Sequence, residues 1–359
     1  MKYVKPKVKP MLAPFINEDA SGIRVGGWQA NISRDIIVDD AHEFYTLLRY
    51  LDGTHGLSDI EETFKLSETE LLDLLNILQQ QGIIFENEAT DFSSEEIEYY
   101  SRALNFYEWL DTEGLYYNYW DVQRKLKNAK ILVLGCGGTG SHAAVNLARL
   151  GIGNIVLSDF DNVELSNLNR QEFTYADVGK KKAPTLMRHL LDINPFITVS
   201  SKEAQIESAQ DILDLGTDFD LVISCIDKPT NVSEFFTEYT KKTKIPWVLG
   251  NYASTVVTEG IFNESGISFK EIIDHDKSES YVAKTISESD DWPLENAIVS
   301  PVATISGSFS ALYAMYYLTS IKRLEFNIIQ NIDLYNVQDL ANFSYIVGEN
   351  KYDIAKVVH

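Results

Sequence analysis

Residues 129–142 read AKILVLGCGGTGSH, an apolar run that ends in a glycine-rich turn and continues into a stretch compatible with a helix. Gly135, Gly137 and Gly140 stand as G-x-G-x-x-G. With a strand before it and a helix after it, the pattern marks a nucleotide-phosphate site. Glycines let the backbone approach phosphate oxygens, and the helix N-terminus supplies unpaired amides and positive potential. Outward from this turn, the sequence reads as strand 130–135, helix 140–150, strand 154–159, helix 178–192, strand 196–200, helix 207–213 and strand 219–225. Such alternation requires right-handed crossovers and predicts an α/β fold with a mostly parallel sheet covered on both faces.

Asp159 closes the second strand about 20 residues after the glycines, where a carboxylate can hold a ribose hydroxyl. Up to that residue a nicotinamide-dependent oxidoreductase fits equally well. The next segment separates the readings. DFDNVELSNLNRQ gathers Asp159, Asp161, Ser166, Asn167, Asn169 and Arg170 in one loop, and VGKKKA sets Lys180, Lys181 and Lys182 at the following helix start. Hydride transfer has no obvious need for an Arg and a Lys cluster aimed at its phosphates. Triphosphate cleavage does, because charge builds on phosphoryl oxygens and must be met by preorganised donors. Further on, FDLVISCIDKPTN ends a strand and reaches Asp227, a carboxylate suited to magnesium, which takes one or two carboxylates and completes its shell with phosphates and water.

The whole chain has 359 residues, with 31 Lys and Arg against 53 Asp and Glu, a net charge of −22. A body this acidic repels a phosphate backbone, so nucleic acid is not expected as a partner. Cys136 and Cys225 are the only cysteines, which excludes a disulfide framework and a C-x-x-C zinc site. A reducing, cytoplasmic setting is expected, and MKYVKPKVKPML lacks the apolar core of an export signal. Ala297–Ile321 carries no formal charge and is long enough to span a bilayer, yet Pro301, Gly307 and its many hydroxyls predict a buried helix and no membrane association.

Residues 1–88 read as a separate small domain. Gly22–Trp28 and Ala30–Asp40 predict strands, Ala41–Leu51 a helix, and the pairs Ser58/Glu61 and Ser67/Glu70 two further helices opened by capping boxes. Leu71, Leu74, Leu75 and Leu78 give the last one its apolar face, Gly82 stops it, and IIFEN follows as a strand. Strands followed by three helices suggest a winged-helix-like module. No Lys or Arg lies between Ser67 and Gln81, which argues against DNA and favours peptide capture by strand addition. Glu86–Glu98 reads as an acidic linker and Glu95–Leu126 as one aromatic helix, so residues 89–128 are expected to connect the module to a nucleotide-binding domain at 129–359.

From Tyr99 to Ile305 these motifs resemble the adenylating family of ThiF, MoeB and the ubiquitin-activating enzymes. The matching features are the Gly137-Gly138 pair, D-x-D…S-N-L-x-R-Q, the lysine after V-G-K, and the aspartate after Ser224-Cys225. The resemblance implies a Rossmann-like, ThiF-type domain using ATP and Mg2+. Gly135, Gly137, Gly138, Gly140, Asp159, Asp161, Ser166, Asn167, Arg170 and Lys182 would line the nucleotide site. Arg170 and Lys182 would meet the phosphates and Asp227 the magnesium. Tyr100-Ser101-Arg102 matches the family's Y-x-R, implying a homodimer in which Arg102 reaches the partner's site. Many members carry paired zinc cysteines or a catalytic cysteine; this chain has no such pair, so no zinc and no thioester step are expected.

The fused N-terminal module is similar to that of the family's peptide-modifying branch, which acts in microcin C and pantocin maturation. It implies a RiPP recognition element that clamps a ribosomally made precursor peptide, one of whose carboxylates is adenylated and then attacked by a nearby nucleophile. Residues 262–292 fit that branch least well. The alternative is a non-catalytic docking scaffold for a separate modifying enzyme. A vestigial site would lose its phosphate-binding residues first, and Arg102, Asp159, Asn167, Arg170, Lys182 and Asp227 are all present.

Overall fold

The computed structural model describes residues 3–26, 33–88, 91–111, 113–279, 297–335, 341–347 and 354–358. Trp28, Ala30 and most of the C-terminal half of the 262–292 stretch lie outside them. The chain divides into two compact units, Met1–Lys125 and Leu126–His359.

In the first unit, β1 (Pro6–Val8) precedes a three-stranded antiparallel sheet of β2 (Phe15–Ile16), β3 (Gly22–Val25) and β4 (Arg34–Ile37). Three helices follow, α1 (Ala41–Tyr50), α2 (Leu57–Phe64) and α3 (Glu68–Gln80). Then β5 (Ile84–Glu86) pairs antiparallel with β1. Ser67 and Glu70 cap α3 reciprocally as the sequence predicts. The start of α2 differs from the expected Ser58/Glu61 box. Its cap is Gly56, whose amide donates to the Asp59 carboxylate at 3.0 Å, because the helix begins two residues earlier. Leu71, Leu75 and Leu78 bury one stripe of α3 against Leu47, Leu48, Ile60 and Ile23. Each such side chain contributes about 1.5–3 kcal/mol.

Beyond β5 the expected linker and single helix are replaced by two helices, α4 (Ser94–Leu110) and α5 (Trp120–Asn128). The break is built by Asp111, buried at the end of α4. Its carboxylate accepts the amides of Leu115 and Tyr116 and the Tyr119 hydroxyl, fixing a turn where a helix would otherwise continue. Glu86, read as linker, is buried and accepts the amides of Val4, Lys5, Asn87 and Glu88.

The same unit buries a cluster of charged groups. Lys9 is enclosed, donates to the Asp111 carbonyl and lies over the Tyr119 ring. Burial lowers its ammonium to about 8 despite Asp111 and Glu108 nearby, and burial raises the Glu108 carboxyl to about 7 against the charges of Lys7 and Lys9. One Glu108 oxygen has no partner. An unfolded chain releases this proton near pH 4.5, so the stability it confers is complete below that pH and lost as pH rises through about 7. Relative to wild type, Glu108→Gln should gain roughly 2 kcal/mol between pH 5 and pH 8, a discounted conversion of the shift. Denaturant melts at the two pH values check this; a pH-independent difference contradicts it.

The second unit carries a nine-stranded sheet in the order β14-β13-β12-β11-β10-β9-β6-β7-β8. Its parallel part is β6 (Lys130–Leu134), β7 (Asn154–Ser158), β8 (Thr198–Lys202), β9 (Leu221–Ser224) and β10 (Trp247–Ala253). Between these strands run α6 (Gly138–Leu150), α7 (Lys182–Ile193), α8 (Ala209–Leu215) and α9 (Val232–Thr243). The alternation in the sequence maps onto this part strand for strand. An antiparallel extension, β11 (Val256–Phe262), β12 (Ile329–Asp333), β13 (Ala341–Val347) and β14 (Ile354–Val358), continues the sheet beyond β10. α10 (Phe269–Glu279) follows β11 and carries the Asp274-His275-Asp276 run.

Trp247 stacks between Phe236 and Phe262, ring centroids 4.9 and 4.8 Å away, in the apolar core that α8 and α9 cover. The uncharged segment 297–321 forms α11 (Ser300–Thr319), with Ala303, Ser306, Gly307, Ser310 and Ala314 buried. Among the described residues no helix is long and apolar enough to cross a membrane.

Candidate active site

β6 lies between β7 and β9, so chain direction away from it reverses there, and the carboxyl ends of these strands frame a crevice. Gly135 leaves β6 at φ +88°, a left-handed conformation that a side chain would strain. The chain then turns through Cys136 into α6, capped by Gly137. A Cβ on Gly140 would sit 1.8 Å from the Gly135 carbonyl oxygen, so the helix rests directly on the turn. The first amides of α6 have no acceptor within the helix and point into the crevice end. Tyr252, at the end of β10, lies over Gly138, its hydroxyl 2.5 Å from where a Cβ would be.

Asp159 extends from β7 and is buried. One carboxylate oxygen accepts the Cys136 amide at 2.7 Å and the other the Asp161 amide at 2.8 Å. It therefore ties the glycine turn to the crossover loop, leaving only its remaining lone pairs for the expected ribose contact. Burial raises its carboxyl, opposed by the Lys182 charge and those two amides.

The three lysines at the start of α7 part company. Lys180 pairs with Asp177 at 3.4 Å, and Lys181 donates to the Phe160 carbonyl at 2.8 Å. Lys182 alone is buried, its ammonium 2.9 Å from the Asp161 carboxylate and acting electrostatically on both Asp159 and Cys136. That places one desolvated cation beside the glycine turn.

Arg170 is held by its own turn, Nη1 donating to the Ser166 carbonyl at 2.9 Å and to Asn169 Oδ1 at 3.0 Å, while Nε is buried without a partner. His142, on α6, fixes this turn by bridging the Glu172 carboxylate (2.7 Å) and the Arg170 carbonyl (3.1 Å). Asn167 is buried, with Oδ1 accepting the Glu164 amide at 3.0 Å, so it caps the loop. Ser166 is exposed and donates to Glu164 at 3.2 Å.

Gln171 closes the S-N-L-x-R-Q run but received no role from the sequence. It is buried, one amide oxygen has no partner, and its Nε2 lies 3.9 Å from the Cβ position of Gly137. The end of the amide nearest the glycine turn is thus its NH2, the donor that a phosphate oxygen would need.

On the other flank, the Cys225 carbonyl and the Ile226 side chain pack on Gly135, at 2.7 and 2.8 Å from its Cβ position. Asp227 follows immediately and is exposed at the same strand-end edge. Among the described residues no group of three His, Cys, Asp or Glu side chains is placed to hold a metal. A single exposed carboxylate beside a phosphate turn suits magnesium, which draws its other ligands from phosphate and water. Burial pushes the Cys136 and Cys225 thiols well above their ordinary range, which disfavours the thiolate that a nucleophile needs. Arg102 is exposed on α4 of the first unit.

The ThiF family profile matches residues 100–348. Molybdopterin-synthase adenylyltransferase of Escherichia coli (strain K12) is 30% identical over 199 residues, 55% of this chain and 76% of that protein. Longer relatives, named adenylyltransferase and sulfurtransferase, are spanned only in part, 22% in the case of the Emericella nidulans protein uba4. Among solved structures, E. coli MccB, crystallised with AMPCPP and MccA, superposes with a TM-score of 0.71 at 23% identity, covering 98% of both chains. PaaA superposes with a TM-score of 0.70 at 21% identity, covering 93% of this chain and 98% of its own. At those identities the two structures speak for the fold. The ThiF profile spans more than half of the chain, and the chain belongs to the ThiF family.

Proposed function

We propose that the protein is an ATP-dependent adenylyltransferase that activates a carboxylate of a ribosomally made precursor peptide. The observation that supports this reading is the buried Lys182 acting on Asp159 and Cys136 at the glycine turn that opens α6, with Arg170 on the adjoining crossover loop and Asp227 two residues after Cys225, whose carbonyl packs on Gly135. A peptide carboxylate oxygen attacks the α-phosphorus of ATP, pyrophosphate leaves, and an acyl-adenylate forms. A nucleophile of the peptide then attacks the acyl carbon and AMP departs with the bonding pair. The helix amides, Lys182 and Arg170 stabilise the phosphoryl charge. Bound magnesium, held by Asp227, would neutralise the leaving pyrophosphate. No protein thiol takes part.

The peptide is assigned to the N-terminal unit. Its sheet ends at β4, where Ile37 is 72% exposed, and a groove of about 340 Å3 runs past Lys7, Pro10, Tyr45, Arg49 and Asp52. An open edge and a groove serve strand addition. The likeness to MccB, solved in complex with N-formylated MccA, and to PaaA supports this choice. A homodimer in which Arg102 completes the partner's site, and a cytoplasmic setting, belong to the same proposal.

The test is exchange of labelled pyrophosphate into ATP by the full chain with short peptides encoded beside its gene. Exchange should require a peptide and fall at least 100-fold in Asp227→Ala, in line with loss of a transition-state charge contact. Tight binding of MgATP and peptide without exchange would replace this reading by a docking scaffold.

A further inference from the structure

Glu259 is a carboxyl residue in the middle of β11, 1% exposed, with no part in the chemistry above. It stands opposite Gly250 on β10. The missing side chain there matters, because a Cβ on Gly250 would lie 2.3 Å from Ser310 Oγ and 3.0 Å from a Thr139 methyl. α11 and the first turn of α6 thus both reach the sheet at this point. Ser310 donates to one Glu259 oxygen at 3.0 Å and Ser306 to the other at 3.0 Å. Ser306 Oγ also lies 2.9 Å from the Thr139 hydroxyl and 3.2 Å from the Asn251 carbonyl. Thr139 belongs to the glycine turn's helix, and Asn251 precedes Tyr252, the residue that lies over Gly138.

A single serine proton cannot serve both acceptors. When the carboxyl carries a proton, it donates to Ser306, Thr139 donates to the same oxygen, and the serine proton goes to the Asn251 carbonyl. Every group is then satisfied along one directed chain. Burial pushes the Glu259 carboxyl well above its ordinary range, which favours this protonated arrangement, and the titratable groups that feel its charge are Cys225 and Tyr313, neither of them cationic.

We propose that Glu259 is a positioning residue for the nucleotide site, acting through Ser306 to hold the first turn of α6 and the Asn251-Tyr252 end of β10 in register around the phosphates. The inference rests on the ATP-binding reading above. Its geometry also makes a distinction: Ser306 connects the carboxyl to Thr139 and the Asn251 carbonyl, whereas Ser310 bonds the same carboxyl and the Ser306 backbone carbonyl.

The experiment measures the MgATP Kd by calorimetry, alongside thermal melts, for the full-length wild type and four variants. Glu259→Leu and Ser306→Ala should each raise Kd at least tenfold. Ser310→Ala, with a comparable loss of melting temperature, and Glu259→Gln, a neutral isostere, should stay within threefold of wild type. If Glu259→Leu does not fold, the contrast between the two serines decides. Equal Kd changes in Ser306→Ala and Ser310→Ala, or a tenfold loss in folded Glu259→Gln, would overturn the proposal. Absence of MgATP binding by the wild type would overturn the nucleotide reading on which it stands.

Discussion

Gly140→Ala should abolish nucleotide binding and destabilise the second unit, whereas Gly137→Ala should weaken binding alone. The new methyl at 140 would lie 1.8 Å from the Gly135 carbonyl oxygen, a backbone atom that no rotamer change can move. Relief requires α6 to lift from the turn, at a cost of about 3 kcal/mol or more. At 137 the backbone φ is −79°, and the nearest atom outside its chain neighbours is Gln171 Nε2, at 3.9 Å. That methyl enters the space where phosphates are expected, so the melting temperature should be unchanged while MgATP affinity falls at least tenfold, about 1.4 kcal/mol. Melts and calorimetry on the two variants separate the effects. Equal destabilisation by both would show that the 137 position is packed in solution and not open.

Lys182→Ala should lower pyrophosphate exchange by roughly 1,000-fold, equivalent to about 4 kcal/mol of lost transition-state stabilisation. The ammonium is buried between the glycine turn and Asp161, where no solvent cation replaces it, and its loss leaves Asp159 without the charge that counters burial. Asp161→Asn removes the other half of the ion pair from an exposed position and should cost tenfold or less. If the two substitutions cost the same, the lysine acts by bracing the loop and not on phosphate.

Much of the second unit is legible in the sequence because its signals are local. The apolar runs before Gly135, Asp159 and Cys225 are buried parallel strands, and a glycine turn after the first of them admits few readings. The antiparallel extension carries no such mark. The β10–β11 hairpin turns through Ser254 at φ +54°, without the glycine that usually announces a reversal.

The break between α4 and α5 is equally silent, since Asp111 stops the helix through contacts with Leu115, Tyr116 and Tyr119 that exist only after folding. At the site, the run of three lysines does not by itself distinguish Lys182, which only the family resemblance singles out. Its burial follows from the register of α7, which sends Lys180 and Lys181 to Asp177 and the Phe160 carbonyl. Gln171 and Glu259 are polar residues in ordinary polar or strand contexts, and only tertiary packing removes them from water.

The central claim is that a carboxylate attacks the α-phosphorus of ATP. A peptide that supports exchange, prepared with 18O in its carboxyl groups, tests it most directly by mass spectrometry of the nucleotide released after turnover with the full-length protein. The account predicts AMP carrying one 18O atom, because the attacking oxygen stays on phosphorus when the acyl bond is broken. ADP with labelled inorganic phosphate, or AMP free of label, would contradict it.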